Sequence, residues 1–427
     1  MRLYLRIVFI LSIINTLNLN LRGQVKKEDP KDLFLEAESY FLFEEYRDAL
    51  PLYQKIYKND PDNYHIAFKI GVCYLFDKYQ KEKSIDFLEK AIKNTSNKFK
   101  EGNFKEKRAP LEAYYYLGRA YHVNNMLDKA IEMYSYFLKI LDPKIYDENL
   151  VKRQIKSCQI AKELQNNALY IKKENIGPRI NTRYPEFNPI VSGDEKTIVF
   201  TRRLPFYDAV FYSVKKDNKW SEPINLTEYF GLDGNSYCTG LSWEGDEIYV
   251  YRNDNYDGNI YVSYLRNGKW SRLEKLNDNI NTKYWESHAS LSPDGLTLYF
   301  TSNRKGGYGG LDIYISRRSA KGKNDWGPPI NLGPVINSEY NEDTPFLTGD
   351  GKTLYFSSLG HYNMGGYDIF YSTLQEDGTW SKPLNAGYPI NSTDDDFFFV
   401  PVGKGEYAYY ALINAPDSYG MEDIFKF

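Results

Sequence analysis

Cysteine is almost missing: Cys73, Cys158 and Cys238 are the only three in 427 residues, far apart and without paired spacing. That excludes a disulfide framework and a paired-cysteine zinc site, and leaves buried free thiols as the reading for all three. Histidine is scarce, at four, and forms no HExxH pair. A G-x-S-x-G elbow is absent too, so neither a zinc hydrolase nor an elbow-borne serine nucleophile is signalled. An excess of charge of one sign is also lacking. The net charge of -3 argues against a large nucleic-acid surface. Aromatics, by contrast, are abundant at 16%, with 40 tyrosines. That is more than a helical core needs and points to many strands, on whose pleated faces aromatic side chains pack well. The length suggests two or three domains.

At the N-terminus Arg2 and Arg6 precede an apolar run from Ile7 to Ile14 that continues patchily to Leu21. This is the plan of a secretory signal over residues 1–23, followed by a linker over 24–30. The run is too short, and too broken by Asn15, Asn18 and Asn20, for a spanning helix of about 20 apolar residues. Cleavage is expected near Gly23–Gln24, with an uncleaved anchor as the alternative. No cysteine stands at that boundary to carry a lipid.

Residues 31–165 read as helix, with apolar side chains at three- and four-residue spacing. A longer period overlies this. Ala37, Tyr40, Ala49, Tyr53 and Pro61 recur as Gly118, Tyr121, Ala130, Tyr134 and Pro143, with Gly71, Tyr74 and Ala91 between them. The region resembles three tetratricopeptide repeats, about 31–63, 64–97 and 111–144, plus a C-terminal helix. The middle repeat is displaced by about one residue in its second helix. The lysine-rich insert at 94–110 reads as a loop.

From residue 169 the period changes to two. Segments "IVFTRR", "IYVYRN", "LYFTSNR", "LYFSSLG" and "AYYALIN" recur every 50 to 56 residues. Each is followed by a second aromatic strand, and four of them then reach Trp220, Trp270, Trp326 or Trp380. A four-stranded unit repeated in this way predicts a β-propeller of five blades over 169–427, with six as the alternative. The fifth unit stops after its third strand at Phe427. Residues 169–175, which precede a "NIGPRINTRY" tail matching "NLGPVINSEY", are expected to supply the fourth strand and close the ring. The fold class is thus α+β: a helical-repeat domain followed by an all-β propeller.

The glycine cluster "NRKGGYGGLD" mimics a phosphate loop, but a strand follows it where a phosphate loop needs a helix N-terminus. It reads as a turn between second and third strands. "NDNYDG" lacks the first acidic ligand of a calcium loop and has Tyr264 at the twelfth position. No cofactor or metal is expected.

The stretches "SPDGLTLYFTSNRKGGYGGLDIYIS" and "TGDGKTLYFSSLGHYNMGGYDIFYS" resemble the TolB-like propeller repeats of bacterial envelope proteins, especially those of Bacteroidota. The order of helical repeats then propeller is similar to an envelope family that continues into an OmpA-like peptidoglycan-binding domain, one member being an accessory of type IX secretion. The resemblance implies a periplasmic location, on its own or at the outer membrane, and a scaffold role. This chain ends with the propeller, so peptidoglycan attachment is not carried over.

Two sets of candidate site residues follow. If the helices pair as the repeats suggest, a groove for a peptide or helix of an envelope partner is lined by Phe34, Glu38, Phe41, Phe68, Leu75, Glu112, Tyr115, Arg119 and His122. The alternative is that these aromatics pack internally. In the propeller, Glu186, Glu286, Glu342 and Asp396 fall at one repeat position, where each innermost strand begins, with Ser236 in the remaining blade. Facing the channel mouth they would repel and call for a cation or raised pKa values; turned inward, they would accept amides of the adjoining "INS" or "INT" turn. His288, two residues after Glu286, is expected on the same side of its strand. The expectation is a non-enzymatic, exported scaffold that holds one envelope protein in the helical groove and a further partner on the propeller face, with no catalytic residues, no integral membrane span after cleavage and no nucleic-acid partner. The alternatives are a propeller enzyme on glycans or peptides, and a ligand- or cation-sensing propeller. A catalytic site predicts unrepeated polar residues converging on one channel mouth, whereas a scaffold predicts sites that follow the repeats.

Overall fold

A computed structural model describes residues 29–232, 234, 236–254 and 257–427. The expected signal peptide, and the linker up to residue 28, lie outside these. Among the described residues no helix is long and apolar enough to cross a membrane.

The helical domain opens with α1 (Pro30–Leu42), whose start is written in the sequence: Asp29 accepts from the Lys31 amide at 2.9 Å and Pro30 stands where no amide is needed. It packs on α2 (Tyr46–Asn59). Then α3 (Tyr64–Leu75) pairs with α4 (Ser84–Ala91), and α5 (Ala113–Val123) with α6 (Leu127–Ile140), against which α7 (Glu148–Asn166) lies. The small residues of the repeat sit at the crossings. A Cβ on Gly71 would stand 2.6 Å from the Leu88 side chain, and one on Gly118 2.7 Å from the Tyr134 ring, so each helix pair closes only on glycine. The displaced middle repeat has the short α4, preceded by a 3₁₀ turn at Lys81–Lys83. Every residue of α3 from His65 to Leu75 is buried.

The insert at 94–110 is a loop pinned at its ends. Thr95–Ser96 bridges Ala109–Pro110 in parallel, and Phe99 and Phe104 lie on His65 and Phe34 at ring distances of 4.8 and 5.6 Å.

The propeller has five antiparallel blades. Their innermost strands are Glu186–Val191, Ser236–Leu241, Glu286–Leu291, Glu342–Leu347 and Val400–Val402. The aromatic second strands fill the space between blades, with Phe200, Phe300 and Phe356 buried. In the fifth blade the final strand, Glu422–Lys426, pairs with Glu174–Asn175, in the register Phe425 to Asn175 and Lys426 to Glu174. The N-terminal end of the propeller therefore closes its last blade.

A repeated asparagine shows that this closure is equivalent to the other blades. Asn281, Asn337 and Asn391 each accept from the amide, and donate to the carbonyl, of one third-strand isoleucine in their own blade: Ile260, Ile313 and Ile369. Asn181 makes the same pair of bonds to Ile424, across 243 residues of chain. In the first blade Thr227 takes over, its hydroxyl accepting from Val210.

The glycine cluster is the turn between the second and third strands of the third blade, capped by Asp312, which accepts from the Tyr308 and Gly309 amides. Only Gly306 of the four has a positive φ, +93°. Gly309 and Gly310 are needed for a different reason: a Cβ there would lie 1.7 Å from the Tyr340 carbonyl and 2.3 Å from Asn341 Oδ1. The turn is where one blade's backbone touches the next.

Candidate functional site

The innermost strands run along the channel, so their starts and ends mark its two mouths. At the strand ends, the repeat position carries Gly193, Trp243, Pro293, Gly349 and Gly403. Trp243 reaches across. A Cβ on Gly193 would meet its ring at 1.9 Å and one on Gly349 at 2.2 Å. One large side chain between two glycines therefore fills this end.

At the strand starts, register shifts fall between Phe187 and Ile190, Glu286 and Ala289, and Asp343 and Phe346. Asn188, Thr344 and Phe398 have φ values of 51°, 46° and 57°. Such bulges re-aim side chains, and strain of this kind collects at sites. Here they turn Asn188, His288, Asp343 and Phe398, together with Tyr237, toward a cavity of about 760 Å³.

The helical domain roofs this cavity. Lys78 pairs with Glu422 at 2.6 Å and Tyr79 donates to the same carboxylate at 3.0 Å. Lys81 holds both oxygens of Asp394, at 2.6 and 2.7 Å. Deeper in the seam, His122 Nε2 donates to the Met364 carbonyl at 3.0 Å, and burial draws its pKa down to about 4, so the ring is neutral there. Asp394 stands where Tyr184, Tyr284 and Tyr340 stand in other blades.

The four repeated carboxylates are turned away from one another. Glu186 accepts from the Thr182 amide and hydroxyl at 2.9 and 2.6 Å, and from Arg202. Glu286 does the same with Thr282, Ser302 and Arg304, and Glu342 with Ser338 and Ser358. Asp396 accepts from Ser392 and from the Tyr410 hydroxyl at 2.6 Å. Each pins its own turn. Burial pushes Glu186 and Asp396 up to about 7 and raises Glu342. No group of three or more acidic, histidine or cysteine side chains among the described residues could hold a metal. The oxygens of the four carboxylates accept from these local donors, as the turn-bound alternative expects; of the four, Asp396 borders the cavity.

The expected peptide groove is likewise occupied by the chain itself. Phe34, Phe68, Leu75 and His122 are buried. Phe34 packs on His65 and the insert's Phe104, Phe68 on Tyr116, and Tyr115 on Tyr134 and Phe137. Glu38 accepts from Tyr53 and pairs with Lys69, whose ammonium lies 3.9 Å from the Phe41 ring. Arg119 lies over Phe76 at 5.1 Å, and burial raises the Glu112 carboxyl. This is the internal packing given above as the alternative to a groove: the insert's Phe104 covers Phe34 on one side and the propeller's Met364 carbonyl meets His122 on the other.

His288 and Glu286 do not act together, because the bulge between Glu286 and Ala289 breaks the alternation that would align them. His288 Nδ1 instead meets Asp343 Oδ1 of the next blade at 2.5 Å, and Thr301 donates to the same oxygen. The sequence reading missed Asp343, Tyr237, Phe398, Lys81 and Asp394. The available signal was departure from the repeat, as at Asp394.

No family model and no curated protein sequence matches the chain. Among solved structures it is similar to a putative TolB from Agrobacterium tumefaciens, at 17% identity over 56% of this chain and 73% of that one, with a TM-score of 0.34. TolB from Acinetobacter baumannii gives 17% identity, 57% and 54% coverage and a TM-score of 0.38. A thermostable family-43 glycoside hydrolase gives 15% identity, 59% and 91% coverage and 0.37. These likenesses bring no site or activity to this chain, and its five blades rest on its own strand order.

Proposed function

We propose that the protein is a non-enzymatic, exported binding protein of the cell envelope, built from tetratricopeptide-type helix pairs and a propeller, that holds part of a partner protein in the chamber between them. One observation carries this reading: the helices and the propeller together line a chamber of about 760 Å³ at one channel mouth, while the unrepeated polar side chains that converge there are what the catalytic alternative calls for and are taken up as the second reading below. Repeated residues serve the fold, so residues that break the repeat and gather in a cavity are the ones free to serve recognition. Export is supported by the charged and apolar pattern of residues 2–14. Membership of a secretion-type envelope assembly is the finest form of the proposal, supported by the family resemblance alone.

The test is capture of partners from crosslinked envelopes of the native organism by the full mature chain, against Ala411→Trp, which puts a bulky ring into the chamber lining. A defined partner lost in the variant is the expected result. Equal capture by both would remove the chamber from the function. A second reading, hydrolysis, has the Asp343–His288 pair in its favour, since a carboxylate-oriented imidazole can act as a general base. Turnover of glycan or peptide substrates, abolished by His288→Ala, is the result that would establish it.

A further inference from the structure

The chemistry of the chamber narrows what it can hold. Asp343 is an acceptor, so the His288 Nδ1 that meets it at 2.5 Å carries the proton. In the neutral ring Nε2 is then an acceptor, and among the described residues it has no hydrogen-bond partner, although His288 is only 9% exposed. Whatever completes Nε2 of the neutral ring must be a donor. The ring stands between Tyr237 and Phe398, at centroid distances of 5.5 and 5.0 Å, so the donor arrives among aromatic walls.

Charge points the same way. The cations of the lining are already committed: Lys78 to Glu422, Lys81 to Asp394 and Arg203 to Asp208. Asp343 has no lysine or arginine in salt-bridge contact among the described residues, its carboxylate being held by His288, Thr301 and the Thr344 amide. A donor that is also a cation, with an aliphatic stem to lie against aromatic faces, satisfies all three features at once. The far mouth is filled by Trp243, so such a group enters from the helical side and stops.

We propose, building on the binding reading above, that the chamber is a socket for an alkylammonium or guanidinium group, the end of a lysine or arginine side chain of a partner, seated on His288 Nε2 between Tyr237 and Phe398.

Titration calorimetry of the full chain tests this with acetyl-Gly-Lys-Gly amide, acetyl-Gly-norleucine-Gly amide, spermidine and maltose as probes. The lysine peptide is expected to bind and the norleucine peptide, which keeps the aliphatic stem without the ammonium, and maltose to give no heat. His288→Phe keeps the ring volume and removes the acceptor, and should weaken the lysine peptide by roughly tenfold; His288→Gln, which offers a carbonyl, should restore part of the loss. Thermal melts by circular dichroism accompany each variant, and Tyr237→Leu substitutes for His288→Phe if the latter does not fold. Equal binding of lysine and norleucine peptides, tightest binding of maltose, or a folded His288→Phe that binds like the parent would overturn the proposal. Binding of spermidine alone keeps the ammonium chemistry and removes the protein source. If Ala411→Trp abolishes partner capture while no amine binds, the binding reading stands and this one falls.

Discussion

The two mouths of the propeller channel are built from the same five strands and solve opposite problems. At one, Trp243 lies across between Gly193 and Gly349, and apolar packing closes the channel. At the other, the starts of the strands are tied into turns by Asn and Glu side chains, leaving space in which a cavity persists under the helical roof. Packing closes and hydrogen bonding holds open, because a polar clamp fixes the backbone without filling volume. The two ends also differ in what breaks the repeat: one unrepeated ring, Trp243, lies across the closed end, while at the open end unrepeated side chains from several blades line a cavity.

The largest expected effect breaks the clamped end. Asn337→Ala would strand the buried amide and carbonyl of Ile313, and is expected to cost roughly 3 kcal/mol, read as a lowered urea midpoint. Asn181→Ala should cost a similar amount if ring closure is as strong as the other blades; a much smaller loss would mark closure as the weak seam. Next comes the packed end. Gly193→Leu collides with Trp243 and should destabilise by about 2 kcal/mol, most of it recovered in a Trp243→Ala background, where the pair is no longer additive. Additive losses would mean that Trp243 does not span the mouth.

A subtler effect sharpens the comparison through pH. The buried Asp396 carboxyl is pushed up to about 7, whereas in the unfolded chain it titrates near about 4. The native state therefore keeps a proton that the unfolded chain releases. The contribution of Asp396 is fully present below about pH 4 and is lost as pH rises through about 7. Asp396→Asn should lack this component, so its stability relative to the parent should rise from pH 4.5 to pH 7.5, as followed by urea unfolding. A constant difference would contradict it. The smallest effect is at the roof. Lys81→Ala removes a partly exposed pair to Asp394, worth less than about 1 kcal/mol, and should leave the global melt unchanged while speeding hydrogen exchange over residues 76–82.

Much of the fold was legible because it repeats. The alternation of "LYFTS" and "LYFSS", and the tail match that led to residues 169–175, came from a period that any one blade displays locally. The glycine cluster was rightly placed between strands, although positive φ explained only Gly306 and close approach of the next blade explained the rest. The carboxylate position was found, but its direction was not, since one position on a strand start can face a channel or a turn. Phe34 and Phe68 matched a groove pattern that is indistinguishable in sequence from a buried face. The site itself was legible only in outline, through His288 and Asp396.

By itself the sequence determined the helix pairs, the blade count and the strand that closes the ring, because propensity, alternation and repeat spacing act over tens of residues. Which mouth is roofed, and which side chains meet there, was decided only by the tertiary structure. Lys81 and Asp394 touch across 313 residues, and His288 and Asp343 across 55 in neighbouring blades. No local pattern encodes such contacts: they exist only once ring closure and domain docking have fixed the distances between elements.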